Sequence, residues 1–303
     1  MDNNLFTVGD EQGLPFEFKA KPVSEERRLE NWDAVLDGID RTVVLLRQRR
    51  RLFLSAAAIV VLIVGATWYF SNKETMPLVT EYKTGYGQVK ILLLPDSSKL
   101  VLNANSAVKI PQQWKEQGDR QVWLDGEGYF EVAKKITTHQ KFIVHTSQVD
   151  VEVLGTKFNV NTRRRQSLVA LEEGKVQLSV KGKSVSVIQK LTRPSIVLKP
   201  GEVARIDSAL DVSVTGEKNI EHYSGWVKNE YHFDDTSLGA VALMIQDIYG
   251  YKTIVADSAL LSRSISGDLR ATNVEEFISV LRATLNLHID VDVNGKTVTI
   301  SQP

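Results

Sequence analysis

The chain has 303 residues, with 37 basic and 37 acidic side chains, so its formal net charge is zero. That length holds one or two domains, and the balance gives no global attraction to nucleic acid. There is no cysteine, which excludes disulfides, thiol catalysis and thiolate metal sites.

The balance conceals a local asymmetry. Residues 1–40 carry ten acidic and four basic side chains, and residues 41–51 add five arginines and no acid. Residues 1–24 show no hydrophobic period and read as weakly ordered. From Ser24, a candidate cap, apolar residues recur at Leu29, Trp32, Val35, Leu36, Ile39, Val43 and Leu46. Steps of three and four mark one helical face. Such a stripe, with no domain beside it, either lies on a membrane surface or docks into a partner's groove. Six acids on the same segment (Glu25, Glu26, Glu30, Asp33, Asp37 and Asp40) oppose anionic headgroups and favour the partner. Leu29, Trp32, Val35, Leu36 and Ile39 form the expected docking face, with Trp32 as its anchor.

Leu52 to Phe70 is nineteen residues without a charge. As a helix it reaches roughly 28 Å, near the ~30 Å of a hydrocarbon core. Arg47, Arg49, Arg50 and Arg51 precede it, and Trp68-Tyr69-Phe70 close it. Basic residues stay cytoplasmic and aromatic rings settle at the interface, so the pattern predicts one span with the N-terminus inside. A cleaved export signal is the rival reading. The run is long, however, and bulky aromatics stand where a small-residue cleavage site belongs.

Residues 71–87 read as a tether. From 88 to 214 the sequence reads as strand after strand. VDVEV (149–153), FNVN (158–161) and VQLSV (176–180) alternate with period two, as half-buried strands require. PDSS, DGEG, EEGK and KPGE mark turns between them. After a polar linker at 215–225 the style changes. A strand over 231–233 leads into a helix over 237–250, capped by Asp235 or Thr236. Strands at 252–257 and 264–269 follow, then a helix from Asn273 to Leu285 behind a Thr272/Glu275 capping box. LHIDVDV and TVTIS end the chain, joined by Asn294-Gly295, a type I′ hairpin signal. The expected fold class is α+β and membrane-anchored. It comprises a cytoplasmic helix, one transmembrane helix, an all-β domain (sandwich or solenoid) at 88–214, and a two-layer β-α-β-β-α-β-β domain at 226–303.

Catalytic chemistry is hard to find. The five histidines (139, 145, 222, 232 and 288) show no metal-ligand spacing. Gly126-Glu127-Gly128 is a turn and not a phosphate loop, and there is no G-x-S-x-G elbow. Arg163-Arg164-Arg165 reads as a solvated loop or a charged docking spot. No enzyme activity, metal, cofactor or small-molecule substrate is expected.

Six ordered blocks, LLLPDSSKLVLNANSAVKIP (92–111), DRQVWLDGEGYFEVAK (119–134), KFIVHTSQVDVEVLGTKFNV (141–160), EEGKVQL (172–178), LKPGEVA (198–204) and GWVKNEYHFDDTSL (225–238), resemble the FecR family of sigma-factor regulators. The last block and the final seventy residues resemble that family's C-terminal domain, which is similar to the short N-terminal signalling domain of outer-membrane transducers and secretins. The family's usual L-P-D-G-S turn reads Leu94-Pro95-Asp96-Ser97-Ser98 here, a turn with no obligatory positive φ. Trp32, Val35 and Ile39 match the family's cytoplasmic W-x-x-[IV]-x-x-x-[IV] helix. The resemblance implies a single-pass inner-membrane protein with a periplasmic C-terminus. Its partners would be an extracytoplasmic-function sigma factor inside and the signalling domain of a TonB-dependent outer-membrane receptor outside. The alternative reading is a non-catalytic envelope tether with periplasmic binding domains.

Overall fold

The computed structural model describes residues 25–27, 58–69, 78–115, 118–182 and 195–302. The chain divides into two compact units, Met1–Thr75 and Met76–Pro303. In the first, residues 25–27 form a helical turn and residues 58–69 a helix, α1. Its apolar side chains are exposed, Val61 and Leu62 at 70% and 71%. Here the expected fold class is corrected. Among the described residues no helix is long and apolar enough to cross a membrane, and these residues are mostly β-sheet with few helices. α1 takes up only twelve of the nineteen uncharged residues, about 18 Å of rise, and 52–57 and 70 lie outside the described residues.

Two seven-stranded sheets dominate the second unit. In spatial order the first holds β1 (Val79–Lys83), β4 (Ala107–Pro111), β5 (Arg120–Asp125), β7 (Phe142–His145), β8 (Val149–Val153), β11 (Val176–Val180) and β12 (Ser195–Leu198). The second holds β14 (Val212–Gly216), β13 (Glu202–Ile206), β10 (Ser167–Glu173), β9 (Lys157–Asn161), β6 (Glu127–Glu131), β3 (Lys99–Leu102) and β2 (Lys90–Leu93). Neighbours are antiparallel except β5 and β7, which run parallel. β1 lies within the segment read as a tether and pairs with β4 at the sheet's edge.

Alternation places Val149, Val151 and Val153 in the core, with Asp150 and Glu152 facing outward. Phe130 and Phe158 of the second sheet stack at 5.1 Å between centroids. Phe142 of the first meets Phe130 edge-on at 6.2 Å. Inner faces interdigitating in this way make a sandwich.

A polar knot holds one end of the sandwich. Ser97 has φ 72°, so the Leu94–Ser98 turn keeps a left-handed residue although serine occupies it. Asp96 accepts from Ser98 N (2.9 Å) and Ser98 Oγ (2.7 Å). It also pairs with the Arg120 guanidinium, which donates to Ala133 O (3.0 Å) and Gln140 O (2.9 Å). Arg120 is 1% exposed.

The C-terminal part runs β15 (Glu230–Ser237), α2 (Leu238–Tyr249), β16 (Lys252–Val255), β17 (Ser264–Arg270), α3 (Val274–Leu285), β18 (His288–Asp292) and β19 (Thr297–Ser301). β15 pairs with β17, and β19 lies between β16 and β18. Val241, Ile245, Phe277, Leu281, Val298 and Ile300 close its core. The caps sit one or two residues later than the sequence suggests. Ser237 Oγ accepts from Ala240 N at 3.2 Å. Asn273 Oδ1 accepts from Glu276 N at 2.8 Å, and Glu276 reaches back to Thr272 N at 2.8 Å. The Asn294-Gly295 turn is not a two-residue hairpin loop. Pairing ends at Asp292 opposite Thr297, and Asp292 Oδ1 accepts from Asn294 N and Gly295 N at 3.0 and 2.9 Å.

Candidate functional site

The outward face of the second sheet carries one lateral row: Val101, Tyr129, Asn159, Ala170 and Val203. All five are buried, because two 3-10 turns, Ile220–Tyr223 and Gly225–Lys228, lie over them. The segment read as a polar linker therefore docks through Ile220, and Trp226, the first residue after it, docks beside it. Burial and the Glu172 carboxylate, which accepts from Tyr129 Oη at 2.7 Å, push the Tyr129 phenol upward from its ordinary value and keep it a donor.

The arginine triplet between β9 and β10 makes the second junction. Arg164 and Arg165 take φ of 57° and 56°, turning the side chains of Arg163 and Arg164 toward the end of α2. Arg163 donates to Asp247 O (2.8 Å) and Ala104 O (2.6 Å). Arg164 grips the Asp247 carboxylate with two bonds, 2.9 and 2.7 Å. Gly87 N donates to Ile248 O at 2.7 Å. The last carbonyls of a helix lack intrahelical partners and sit at its negative pole. Two guanidinium groups there satisfy both demands. The triplet is thus an internal clamp.

Between these junctions lies a cleft of about 830 Å³. Glu127 is at its floor, 8% exposed. Asn103 Nδ2 donates to Glu127 Oε2 (2.8 Å) and Asn159 Nδ2 to Oε1 (3.0 Å). Both amides are oriented from behind. Asn103 Oδ1 accepts from Ala104 N (2.7 Å) and Asn159 Oδ1 from Trp226 Nε1 (3.3 Å). Backbone and indole N–H groups only donate, so each amide must present its N–H groups to the carboxylate. At the other side of the cleft His222 stacks on His232 at 3.5 Å, and His232 Nδ1 meets Asp268.

The described residues hold no cluster of three metal-ligating side chains. What the cleft offers is recognition by an oriented carboxylate and aromatic walls. Of the sequence-derived positions, Leu29, Trp32, Val35, Leu36, Ile39, Arg47, Arg49, Arg50 and Arg51 lie outside the described residues, and Trp68 and Tyr69 are exposed at the end of α1. Sequence reasoning took Gly126-Glu127-Gly128 only as a turn and missed Asn103, Glu127, Asn159 and Trp226. Alternation along β6 does put Glu127 on the outward face. No local signal, however, brings the two asparagines beside it.

The family model described as "FecR protein" matches residues 80–177, and that described as "FecR, C-terminal" matches residues 230–300. The chain belongs to the FecR family. In this FecR-family chain the first match contains the carboxylate, both asparagines and the arginine clamp. The second contains Asp247, and Trp226 falls between the two. Two crystal structures of a candidate anti-sigma factor from Parabacteroides distasonis ATCC 8503, at 2.50 and 1.65 Å, share its fold. Each has a TM-score of 0.61 and 21% identity, covering 75% and 74% of this chain and 100% and 99% of the other. No curated protein sequence matches the chain.

Proposed function

We propose that this FecR-family protein regulates, by sequestration, an extracytoplasmic-function sigma factor in response to the signalling domain of a TonB-dependent outer-membrane receptor, acting by binding and not by catalysis. The observation that carries this reading is the ordered match of both FecR models on one chain. A fold shared over the full length of a candidate anti-sigma factor supports it. The sigma factor docks on Leu29, Trp32, Val35, Leu36 and Ile39, and the receptor domain engages residues 230–302. The reading places residues 1–51 in the cytoplasm and residues 78–302 in the periplasm. A receptor shifts the regulator only by binding one of its states better than the other.

The test is co-purification. Full-length tagged protein is recovered from the source organism, and its companions are identified by mass spectrometry. A sigma factor is expected, and Trp32→Ala should deplete it about tenfold or more, as loss of an aromatic anchor does. A sigma factor recovered equally with Trp32→Ala refutes the docking face. Its absence from both samples refutes sequestration.

A further inference from the structure

Glu127 is a buried carboxylate whose every polar partner is neutral. Its two oxygens accept only from the Asn103 and Asn159 amides, and it forms no ion pair among the described residues. Burying an ion without a counter-charge is costly. The cleft does not lack cations: Arg163, Arg164, Arg205 and Lys218 all line it, and none of them bonds the Glu127 carboxylate. The three arginines are held elsewhere. Arg163 bonds Asp247 O and Ala104 O, Arg164 grips the Asp247 carboxylate, and Arg205 bonds Thr215 Oγ1 and Glu217 Oε1 at 2.8 and 3.3 Å.

A carboxylate held rigid by back-oriented amides, and left without a cation where cations are at hand, is arranged to meet one from outside. Two amide bonds leave lone pairs on both oxygens. Trp226, Tyr223 and Tyr231 stand around the same space, and aromatic faces attract cations through their quadrupoles. We propose that the cleft is a binding site for one organic cation, an alkylammonium or guanidinium group, with Glu127 as its counter-ion and the aromatic side chains as its walls. The cation would supply the counter-charge that Glu127 lacks among the described residues. Because the floor belongs to the sandwich and the far wall to β15 and α2, its binding also ties the two parts together. This inference is independent of the sigma-factor reading.

The experiment follows the indole N–H resonances of 15N-labelled full-length protein, with Trp226 assigned through Trp226→Phe. The titrants are Nα-acetyl-arginine amide, putrescine and, as a neutral isostere, Nα-acetyl-citrulline amide. At least one cation should move the Trp226 signal saturably, and the citrulline compound should not. Saturation by putrescine points to a free amine, and by the arginine amide alone to a side chain carried by a protein. Glu127→Gln should weaken binding about tenfold or more, as loss of a charge-assisted contact does. The proposal is overturned if neither cation moves Trp226, if citrulline moves it as strongly, or if Glu127→Gln titrates like the parent. Should Glu127→Gln fail to fold, the contrast between arginine and citrulline in the parent protein decides alone.

Discussion

Asp96→Ala attacks the knot at the end of the sandwich. It removes the carboxylate paired with the Arg120 guanidinium, which is also the acceptor of both Ser98 N and Ser98 Oγ. Arg120 keeps Ala133 O and Gln140 O and the Phe142 ring 5.4 Å away, but remains a buried charge without its partner. Breaking a buried pair in this way costs about 3–5 kcal/mol. The surviving carbonyl bonds place the loss near the lower end, about 3 kcal/mol. Arg120→Met leaves Asp96 with its Ser98 donors and removes the guanidinium bonds to the Ala133 and Gln140 carbonyls, a loss of similar size. The double variant removes both charges together, so it should be more stable than the sum of the single losses by about 1–3 kcal/mol. Urea unfolding followed by circular dichroism and tryptophan fluorescence measures all four proteins. A loss under about 1 kcal/mol for Asp96→Ala, or strict additivity in the double variant, would show that the pair does not hold the sandwich as argued.

Ser97→Gly should raise stability by about 0.5 kcal/mol. Relief of a left-handed serine gives about 1–2 kcal/mol, and the added freedom of the unfolded chain takes back part of it; a lower urea midpoint would contradict the turn geometry. The Thr272 N–H and hydroxyl donate to Glu276 and hold its carboxyl below the ordinary value of 4.5. A depressed folded value stabilises above the unfolded one and is lost as pH falls through the folded value. Melting temperature should therefore drop more steeply from pH 6 to 3 in the parent than in Glu276→Gln, and parallel curves would count against the capping interaction. For the arginine clamp, Arg164→Ala and Asp247→Ala should couple by about 1 kcal/mol, given that the side chains are 38% and 23% exposed. Hydrogen exchange at the end of α2 should speed up in both, and independent effects in a double-mutant cycle would remove the clamp.

The caps illustrate how far local signals reach. Both helices begin where polar cap residues cluster, yet each cap falls just beyond the positions the sequence suggests. Neighbouring candidates differ by little in intrinsic capping strength. The packing of Leu238 and Val274 into the C-terminal core decides between them. The Asn294-Gly295 pair behaves alike. It marks a turn correctly, but Asp292 captures two backbone donors and lengthens the loop.

The sequence by itself determined which side chains of each strand and helix share a face, because periods of 2 and 3.6 are properties of a short backbone segment. Val149, Val151 and Val153 on β8, and Phe277, Ile278 and Leu281 on α3, are legible in this way. It did not determine that, among the described residues, no helix is long and apolar enough to cross a membrane. Nor did it show that β1 joins the sandwich, that the 215–225 segment seals a sheet, or that Arg163 and Arg164 clamp a helix eighty residues away. The Asn103–Glu127–Asn159 floor was equally hidden, since Glu127 and Asn159 come from different strands and Asn103 from the turn after a third. Such neighbours are set by sheet order and register, which depend on the pairing of distant segments. That pairing is decided by which outward rows can be buried together, and only the folded chain brings those rows into contact.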